Sequence, residues 1–372
     1  MLKLPRKLLA LVPAGLLMIA VNYAVDPANL FHEGCETAAA ESIVAGHPLD
    51  ATDLDYRLLQ KRVAERMDGP KDVIVLGSSR GLPIRSTQFP GMRFFNHSVP
   101  AGRLEDFLAT YRVYVEKRSQ PRSIVLVLDP WTLSPLNTTP FMRLAADYLD
   151  MCRRLGIAPR ASATGTWGFV YTELLSPTYF RASVRRWINN AGRLRPGCSP
   201  QPDQPVEPGR AVIRPDGSFD LPPSGSARNL GDIRRMTLRV ARFGVDAIQA
   251  APRQLDADIL GEFDAFVRFL LRSQVEVTFV LPPIHPEALK LLRRTAWGPR
   301  IEACERYVIS FAGRHNVPVI GSFDPSATGC DASQFFDAIH PTASCVARIV
   351  GAWAAGASAR HVKDGAQPRS MF

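Results

Sequence analysis

The stretch Asp72-Val-Ile-Val-Leu-Gly-Ser-Ser-Arg-Gly81 decides the fold. Its apolar residues form a short run rich in β-branched side chains, and a glycine ends the run. Such a run is typical of a strand that is buried on both faces of a parallel sheet. The polar residues that follow it then lie at the carboxyl end of the strand, where open parallel sheets form their sites.

Four further apolar runs predict strands, and segments with helical spacing lie between them. The strands are expected at Met92–Asn96, Ser123–Leu128, Val275–Leu281 and Val317–Ile320, and the helices at Asp50–Arg66, Leu104–Lys117, Ala257–Arg272, Arg300–Arg314 and Thr342–Ala354. Strands that alternate with helices indicate an α/β fold with a parallel sheet. The sequence therefore predicts a flavodoxin-like parallel sheet of about five strands with helices on both faces.

About 145 residues separate the third and fourth predicted strands, which is far more than a crossover between parallel strands needs. The excess predicts an insert, with helices over Met142–Gly156 and Tyr179–Asn190 and a loop rich in Pro, Gly and Ser over residues 193–226. The expected organisation is a membrane anchor over 1–30, the first part of the α/β domain over 31–130, the helical and loop insert over 131–250, the second part of the domain over 251–360 and a flexible tail over 361–372.

The N-terminus predicts a membrane anchor. Lys3, Arg6 and Lys7 precede an apolar run of 18 residues from Leu8 to Val25, at the lower edge of the length that crosses a bilayer. The positive flank predicts a cytoplasmic N-terminus and a periplasmic location for the bulk of a single-pass protein of the inner membrane. A cleaved signal peptide and a buried soluble helix are the alternatives, although Asn22-Tyr23-Ala24 makes a poor cleavage site.

Composition and charge narrow the classes of function. Apolar residues make up 46% of the 372 residues and charged residues 22%, which is typical of a globular protein rather than a disordered one. The net charge is +10, but the basic residues are mostly scattered arginines on what we take to be solvated faces. No nucleic-acid partner is expected, because no stretch interleaves aromatic and basic residues. A nucleotide is not expected either, since the chain has neither a GxGxxG nor a Walker A motif.

Six cysteines would lie in an oxidising compartment if the anchor prediction holds. Their spacings are long and irregular, and without a CxxC pair they predict neither a zinc site nor another metal site. Cys152 and Cys198 are the favoured disulfide pair, because both lie in the insert. Buried free thiols are the alternative. No cofactor is expected.

Two short motifs supply the side chains of acyl-transfer chemistry. Gly77-Ser78-Ser79 ends the first predicted strand of the sheet, and Asp337-Ala-Ile-His340 precedes the last predicted helix. A serine hydroxyl becomes a good nucleophile when a histidine takes its proton, and the histidine needs a carboxylate to hold its tautomer. Taken singly, the first motif is more often an ordinary turn or a phosphate cradle, and the second a helix cap. Their joint position in an α/β chain favours a catalytic trio.

In these two motifs the chain resembles the SGNH (GDSL-like) hydrolase superfamily. Gly77-Ser78-Ser79 matches the Gly-Asp-Ser block of that family with Ser78 in place of the aspartate, and Asp337-Ala-Ile-His340 matches its Asp-x-x-His block. The Gly-Ser-Ser form is similar to the membrane-anchored branch that includes the D-alanyl transfer protein of teichoic acid synthesis and the alginate acetylation proteins. The resemblance covers residues 70–130 and 275–355. It implies that Ser79 is the nucleophile and that Asp337 and His340 complete a triad.

The middle blocks of the family match less well. Gly102 is the nearest candidate for the oxyanion glycine, and Asp129-Pro-Trp131 stands where the family has Gly-x-Asn-Asp. In addition to Ser78, three further residues are expected near the substrate, and each has an alternative role. Arg80 is predicted to hold an anionic group or to form a surface salt bridge. Trp131 is predicted to stack on a sugar or to be a buried anchor, and His285 to line the cleft or to be an ordinary loop histidine.

The resemblance implies a membrane-anchored serine esterase or O-acyltransferase that acts on cell-envelope or exported polysaccharide through an acyl-enzyme on Ser79. The expected partners are the membrane, the acylated glycan and a membrane-bound acyltransferase. The missing asparagine block favours the alternative of a catalytically silent carbohydrate-binding or assembly factor in a complex for polysaccharide export or modification. The presence of Ser79, Asp337 and His340 opposes that alternative.

Overall fold

The computed structural model describes residues 12–27, 29–32, 34–51, 54–134, 144–160, 171–189, 192, 210–221, 226–227, 229–242, 254–351 and 353. Its strands are β1 Leu49–Asp50, β2 Val73–Leu76, β3 Phe94–Asn96, β4 Ser123–Val127, β5 Val212–Ile213, β6 Phe219–Asp220, β7 Glu276–Leu281 and β8 Val319–Gly321. Its helices are α1 Val12–Val25, α2 Glu36–Val44, α3 Tyr56–Arg66, α4 Leu104–Glu116, α5 Ala145–Leu155, α6 Pro177–Asn189, α7 Leu230–Arg242, α8 Ala257–Arg272, α9 Pro286–Leu292, α10 Trp297–His315 and α11 over residues 343–351.

The main sheet has five parallel strands in the order β3-β2-β4-β7-β8. Numbered by their appearance along the chain within this sheet, the strands run 2-1-3-4-5, which is the order of flavodoxin-like doubly wound sheets. The prediction of an α/β domain with a five-stranded parallel sheet is therefore confirmed. The first strand of this sheet, β2, lies between β3 and β4, so the turn that follows it is at the point where the strand order reverses.

Both faces of this sheet are buried, as the apolar runs require. Alternate residues of a strand point to opposite faces. Ile74 and Leu76 of β2 belong to a core formed with α4, α5, α8 and α10, whereas Val73 and Val75 pack in a second core with residues of α11. Each fully buried aliphatic side chain contributes about 1.5–3 kcal/mol to stability. The apolar runs therefore serve two cores at once.

A second, smaller sheet was not predicted. The strands β1, β5 and β6 pair in antiparallel fashion, and their apolar residues pack with α2, α3 and Phe95. The predicted loop over 193–226 is thus wrong for residues 212–220, where a hairpin forms. Its turn needs glycine, because Gly217 has a φ of +77° and a side chain there would collide with the carbonyl of Asn96.

The helix predicted from Asp50 begins later than expected, at Tyr56. Asp55 caps it, since its carboxylate accepts the backbone N–H groups of Arg57 and Leu58. The preceding residues Leu49–Asp50 form β1 instead. The sequence does not indicate this strand, because strand pairing with a segment about 160 positions further along the chain leaves no local pattern.

The favoured disulfide pair is also wrong, whereas the alternative of buried free thiols holds for Cys152 and Cys304. The thiol of Cys152 is free and fully buried on the face of α5 that packs onto the main sheet, so it is not paired with Cys198, which lies outside the described residues. Cys330 and Cys345 form a disulfide, and Cys35 is disulfide-bonded. The Cys330–Cys345 bond closes the segment that contains the Asp337-Ala-Ile-His340 motif.

Part of the predicted membrane anchor can be compared with the structure. Residues 1–11 lie outside the described residues, and the remainder of the apolar run forms α1, which has 14 residues. Within the described part of the chain, no helix has both the length and the apolar character needed to cross a membrane.

Candidate active site

The turn after β2 presents Ser79 and buries its neighbours. Ser78 and Arg80 are each 1% exposed, whereas Ser79 is only partly buried. The hydroxyl of Ser78 accepts the N–H of Arg80, and its carbonyl accepts the N–H of Gly81. Gly77 permits the close approach of β4, because a Cβ at this position would lie 2.8 Å from Cβ of Val127. Ser78 therefore shapes the turn, and Ser79 is the residue that the turn offers to a substrate.

The segment before α11 brings the second motif to the same edge of the sheet. The N–H of Phe336 donates to the carbonyl of His340, which closes a tight loop. The carboxylate of Asp337 accepts the backbone N–H groups of Ile339 and His340 at 2.8 and 2.9 Å. The carbonyl of Ala338 accepts the N–H of His285. These bonds hold the carboxylate and the imidazole on one side of the loop.

Ser79, His340 and Asp337 form a hydrogen-bonded chain across 261 positions of sequence. Nε2 of His340 lies 2.8 Å from Oγ of Ser79, and Nδ1 lies 2.8 Å from Oδ2 of Asp337. Burial would raise the pKa of Asp337, but the hydrogen bonds from the His340 ring and from the two backbone N–H groups hold that pKa below its usual value. The carboxylate is therefore charged when it accepts Nδ1–H, which leaves Nε2 as the base toward Ser79.

Arg80 differs from both expectations for it, since it neither faces a substrate nor forms a surface salt bridge. Its side chain is 0% exposed and pairs at 2.9 Å with Asp129, whose side chain is also 0% exposed. Nε donates to the carbonyl of Ile339 at 2.8 Å, and Nη2 donates to the carbonyls of Pro282 and Pro283. One guanidinium thus connects the Ser79 turn to the ends of β4 and β7 and to the residue before His340.

Asp129 and His285 are likewise buried and bonded to other groups of the protein. Asp129 is fully buried, and its backbone N–H donates to the hydroxyl of Thr132. His285 is 4% exposed and caps α9, because its Nδ1 accepts the N–H of Glu287. Burial lowers the pKa of His285 below its usual value, which favours the neutral ring that this cap needs. Neither residue lines the cavity beside Ser79, so the structure does not bring them to a substrate there.

Trp131 lies in the wall of the cavity beside Ser79. It is partly buried, and its ring stands edge-on to Trp297 at a centroid distance of 6.3 Å. The guanidinium carbon of Arg80 lies 5.4 Å from the centre of the ring. Trp131 is therefore anchored on one side by Arg80 and contributes its other surface to the cavity wall.

Gly102 is beside Ser79, but its N–H is already engaged. This N–H donates to the carbonyl of Val99 at 3.0 Å, and a side chain at Gly102 would collide with the carbonyl of Gly77. Glycine is thus required here for close backbone approach. Among the described residues, the backbone N–H of Ser79 has no acceptor, which leaves it available to an oxyanion.

A cavity of about 210 Å³ opens next to Ser79 and His340. Its apolar wall comes from Trp131, Trp297, Val240, Ile259 and Ile339, and its polar side is formed by Arg103, Glu105, Arg160, Thr132 and Ser134. Val240 and Arg160 belong to the insert, so the insert supplies part of the wall beside the triad.

The polar side of the cavity is an ion-pair network that sequence reasoning missed. Glu105 is 3% exposed and accepts Arg103 at 3.0 Å and Arg160 at 3.1 Å, while Arg160 also pairs with Glu262. Burial raises the pKa of Glu262, and the attraction of Arg160 opposes this rise. No local motif marks these residues, because their partners come from α4, from the segment after α5 and from α8.

In comparisons with known proteins, no family model and no curated protein matches this chain.

Proposed function

We propose that this protein is a membrane-anchored, extracytoplasmic serine esterase or O-acyltransferase of the SGNH type, with an acyl-enzyme on Ser79 and an acylated envelope or exported polysaccharide as substrate. The observation that carries the proposal is the triad geometry, in which His340 bridges Ser79 and Asp337 with two contacts of 2.8 Å. These residues are the nucleophile, base and orienting carboxylate of acyl transfer.

The reaction follows from this arrangement in two halves. Nε2 of His340 takes the proton of Ser79 as Oγ bonds to the ester carbonyl carbon, and the same proton passes to the alcohol oxygen as its bond to that carbon breaks. The acyl group is then carried on Ser79. Water or a glycan hydroxyl attacks it, His340 takes the attacking proton and returns it to Oγ, and a free acid or a new ester leaves.

The cavity supports a small acyl group. Its volume of about 210 Å³ is below the usual range of about 300–1,000 Å³ for drug-sized ligands. The apolar wall of tryptophan, valine and isoleucine side chains suits the hydrocarbon part of a short acyl chain. The membrane-bound acyltransferase expected as a partner would be the source of that acyl group.

A second candidate function is a catalytically silent carbohydrate-binding or assembly factor on the same fold. The observations that favour it are the engaged N–H of Gly102 and the position of Asp129, which is paired with Arg80 where the family has an asparagine block. Fewer donors for an oxyanion would lower the rate of acyl transfer, since one such donor is worth about 10²–10³ in turnover.

Labelling with a fluorophosphonate probe tests the proposal, because the probe bonds to activated serines only. We expect the full chain to be labelled and Ser79→Ala to abolish both labelling and hydrolysis of an acetyl ester. Ser78→Ala is the matched control and should keep most labelling, since among the described residues Ser78 Oγ accepts one hydrogen bond, from the N–H of Arg80. His340→Ala should reduce turnover by about 10⁶, as in the best-studied triad. Folded wild-type protein that is neither labelled nor active would leave the silent factor as the better proposal.

The location is tested separately. Alkaline phosphatase fused after residue 60 should be active only if the fusion point is outside the cytoplasm. An inactive phosphatase at that position, with a cytoplasmic reporter active instead, would contradict the predicted anchor.

A further inference from the structure

The helices α1 and α6 form a pair that is locked by buried polar side chains. Asn22 of α1 is 0% exposed, and its amide donates to the carbonyl of Leu174 at 3.0 Å and accepts the hydroxyl of Ser183 at 3.0 Å. Asp26, which follows α1, accepts the hydroxyl of Tyr179 at 2.6 Å. Buried bonds of this kind fix the register between two helices. The segment 171–189 therefore has a defined place at the carboxyl end of α1.

The surface of this pair is unusually apolar. The helix α1 carries no charged residue, and Leu16 and Leu17 are each 61% exposed. A helix that is apolar around its circumference is normally covered, by protein or by lipid. The partner segment adds Tyr171, Leu175, Trp187 and Ile188, which are 44–65% exposed. We call these six residues together the α1–α6 surface.

Charge on α6 indicates what covers this surface. Arg181, Arg185 and Ile188 follow one another at spacings of four and three residues, so they share the face opposite Tyr179 and Ser183, which contact the α1 side. Arg181 and Arg185 are exposed. Arginine side chains attract anionic lipids, and tryptophan is enriched at membrane–water interfaces. Long arginine side chains reach headgroups while their stems lie on apolar surface.

We propose that α6 lies in the interface of an anionic lipid bilayer, beside the point where α1 enters it, with Trp187 and Ile188 in contact with lipid. The inference rests on the membrane anchor of the proposed function and goes beyond it. A single helix alone would leave the chain free to rotate about the helix axis, whereas a second helix in contact with lipid holds the α1–α6 pair in one orientation.

An environment-sensitive fluorophore on Ile188→Cys tests the inference in the full chain, reconstituted into vesicles of phosphatidylcholine and phosphatidylglycerol. Ile309→Cys is the matched control, because Ile309 is also an exposed isoleucine, 53% accessible, on a helix of the α/β domain. We expect blue-shifted emission, quenching by nitroxide lipids and a several-fold smaller quenching constant for aqueous iodide at position 188 only. Equal quenching by iodide at the two positions would overturn the inference.

Two further arms identify the cause of the protection. Arg181→Glu combined with Arg185→Glu should remove the protection at position 188, as should vesicles of phosphatidylcholine alone, if anionic headgroups hold α6. Protection that is unchanged in both arms would refute the electrostatic part of the inference. If a protein partner covers this surface instead, position 188 should be open to iodide in vesicles that hold no protein besides this chain. That result would also contradict lipid contact.

The result of the quenching experiment can be distinguished from the results that test the proposed function. Co-flotation of the chain with vesicles reports on the anchor, and probe labelling of Ser79 reports on the chemistry. Flotation with an iodide-accessible position 188 leaves the anchor standing and removes the inference. A chain that does not float contradicts both, whatever the labelling of Ser79.

Discussion

Replacing Arg80 by methionine should lower the free energy of unfolding more than replacing any exposed arginine would. Arg80→Met keeps a long side chain but removes the charge that faces Asp129, and both side chains are 0% exposed. The carboxylate would then be buried without a counter-charge, which typically costs about 3–5 kcal/mol. The carbonyls of Pro282, Pro283 and Ile339 would lose their donor as well. Since domains are stable by about 5–15 kcal/mol, such a loss is a large part of the total.

Urea unfolding followed by circular dichroism measures this cost. Arg293→Met is the control, because Arg293 pairs with Asp324 at 2.7 Å while its side chain is 51% exposed, and an exposed pair is worth about 0–1 kcal/mol. The double variant Arg80→Met with Asp129→Leu should recover part of the loss, since it removes the unpaired carboxylate along with the arginine. A free energy of unfolding for Arg80→Met within about 1 kcal/mol of the wild type would refute the reasoning.

The same variant should slow the chemistry at the triad. Arg80 follows Ser79 directly and bonds the carbonyl of Ile339, which precedes His340, so it connects the two halves of the triad. We expect Arg80→Met to lower the rate of probe labelling at low urea, where the protein is still folded, with little change in the affinity for an ester substrate. A labelling rate equal to that of the wild type would show that the triad holds its geometry without this arginine.

Three further predictions concern the same region. Asp337→Asn should lower turnover by about 10⁴, because the triad histidine would adopt the wrong tautomer. The native pKa of Asp337 is lowered, so the wild type should lose stability as pH falls through that pKa. Acid titrations of the Asp337→Asn variant should show a smaller loss of stability. Gly102→Ala should displace the turn at Gly77 and reduce labelling of the nucleophile, whereas Gly261→Ala, with no atom within 4 Å of the new methyl group, should be neutral or stabilising in thermal melts. Cys330→Ser should lower the free energy of unfolding by about 3 kcal/mol, the loop-closure value for a loop of about 15 residues. A reductant, which also breaks the disulfide of Cys35, should remove this difference between the wild type and the variant.

Local patterns in the sequence predicted the main sheet and the meeting of Ser78-Ser79 with the Asp337-Ala-Ile-His340 motif, whereas the choice of Ser79 as nucleophile came from the family resemblance. The runs Val73–Leu76 and Ser123–Val127 are apolar at every or nearly every position, because a central parallel strand contacts protein on both faces. The carboxyl ends of parallel strands share one edge, so the positions of Ser79 and of the Asp337-Ala-Ile-His340 motif already predicted that they would meet. The distances of 2.8 Å agree with that prediction of geometry.

Only the tertiary structure decided how the remaining residues are used. The charges of Arg80 and Asp129 suggest, from the sequence alone, that the two side chains face solvent or substrate. They are buried because the ends of β2, β4 and β7 meet around them. The hairpin of β5 and β6, the pairing of Cys330 and the insert side chains in the cavity likewise depend on partners distant in sequence. Local propensity and periodicity report the faces and ends of single elements. They carry no information on which distant element covers a face, because that choice is made by packing across the whole chain.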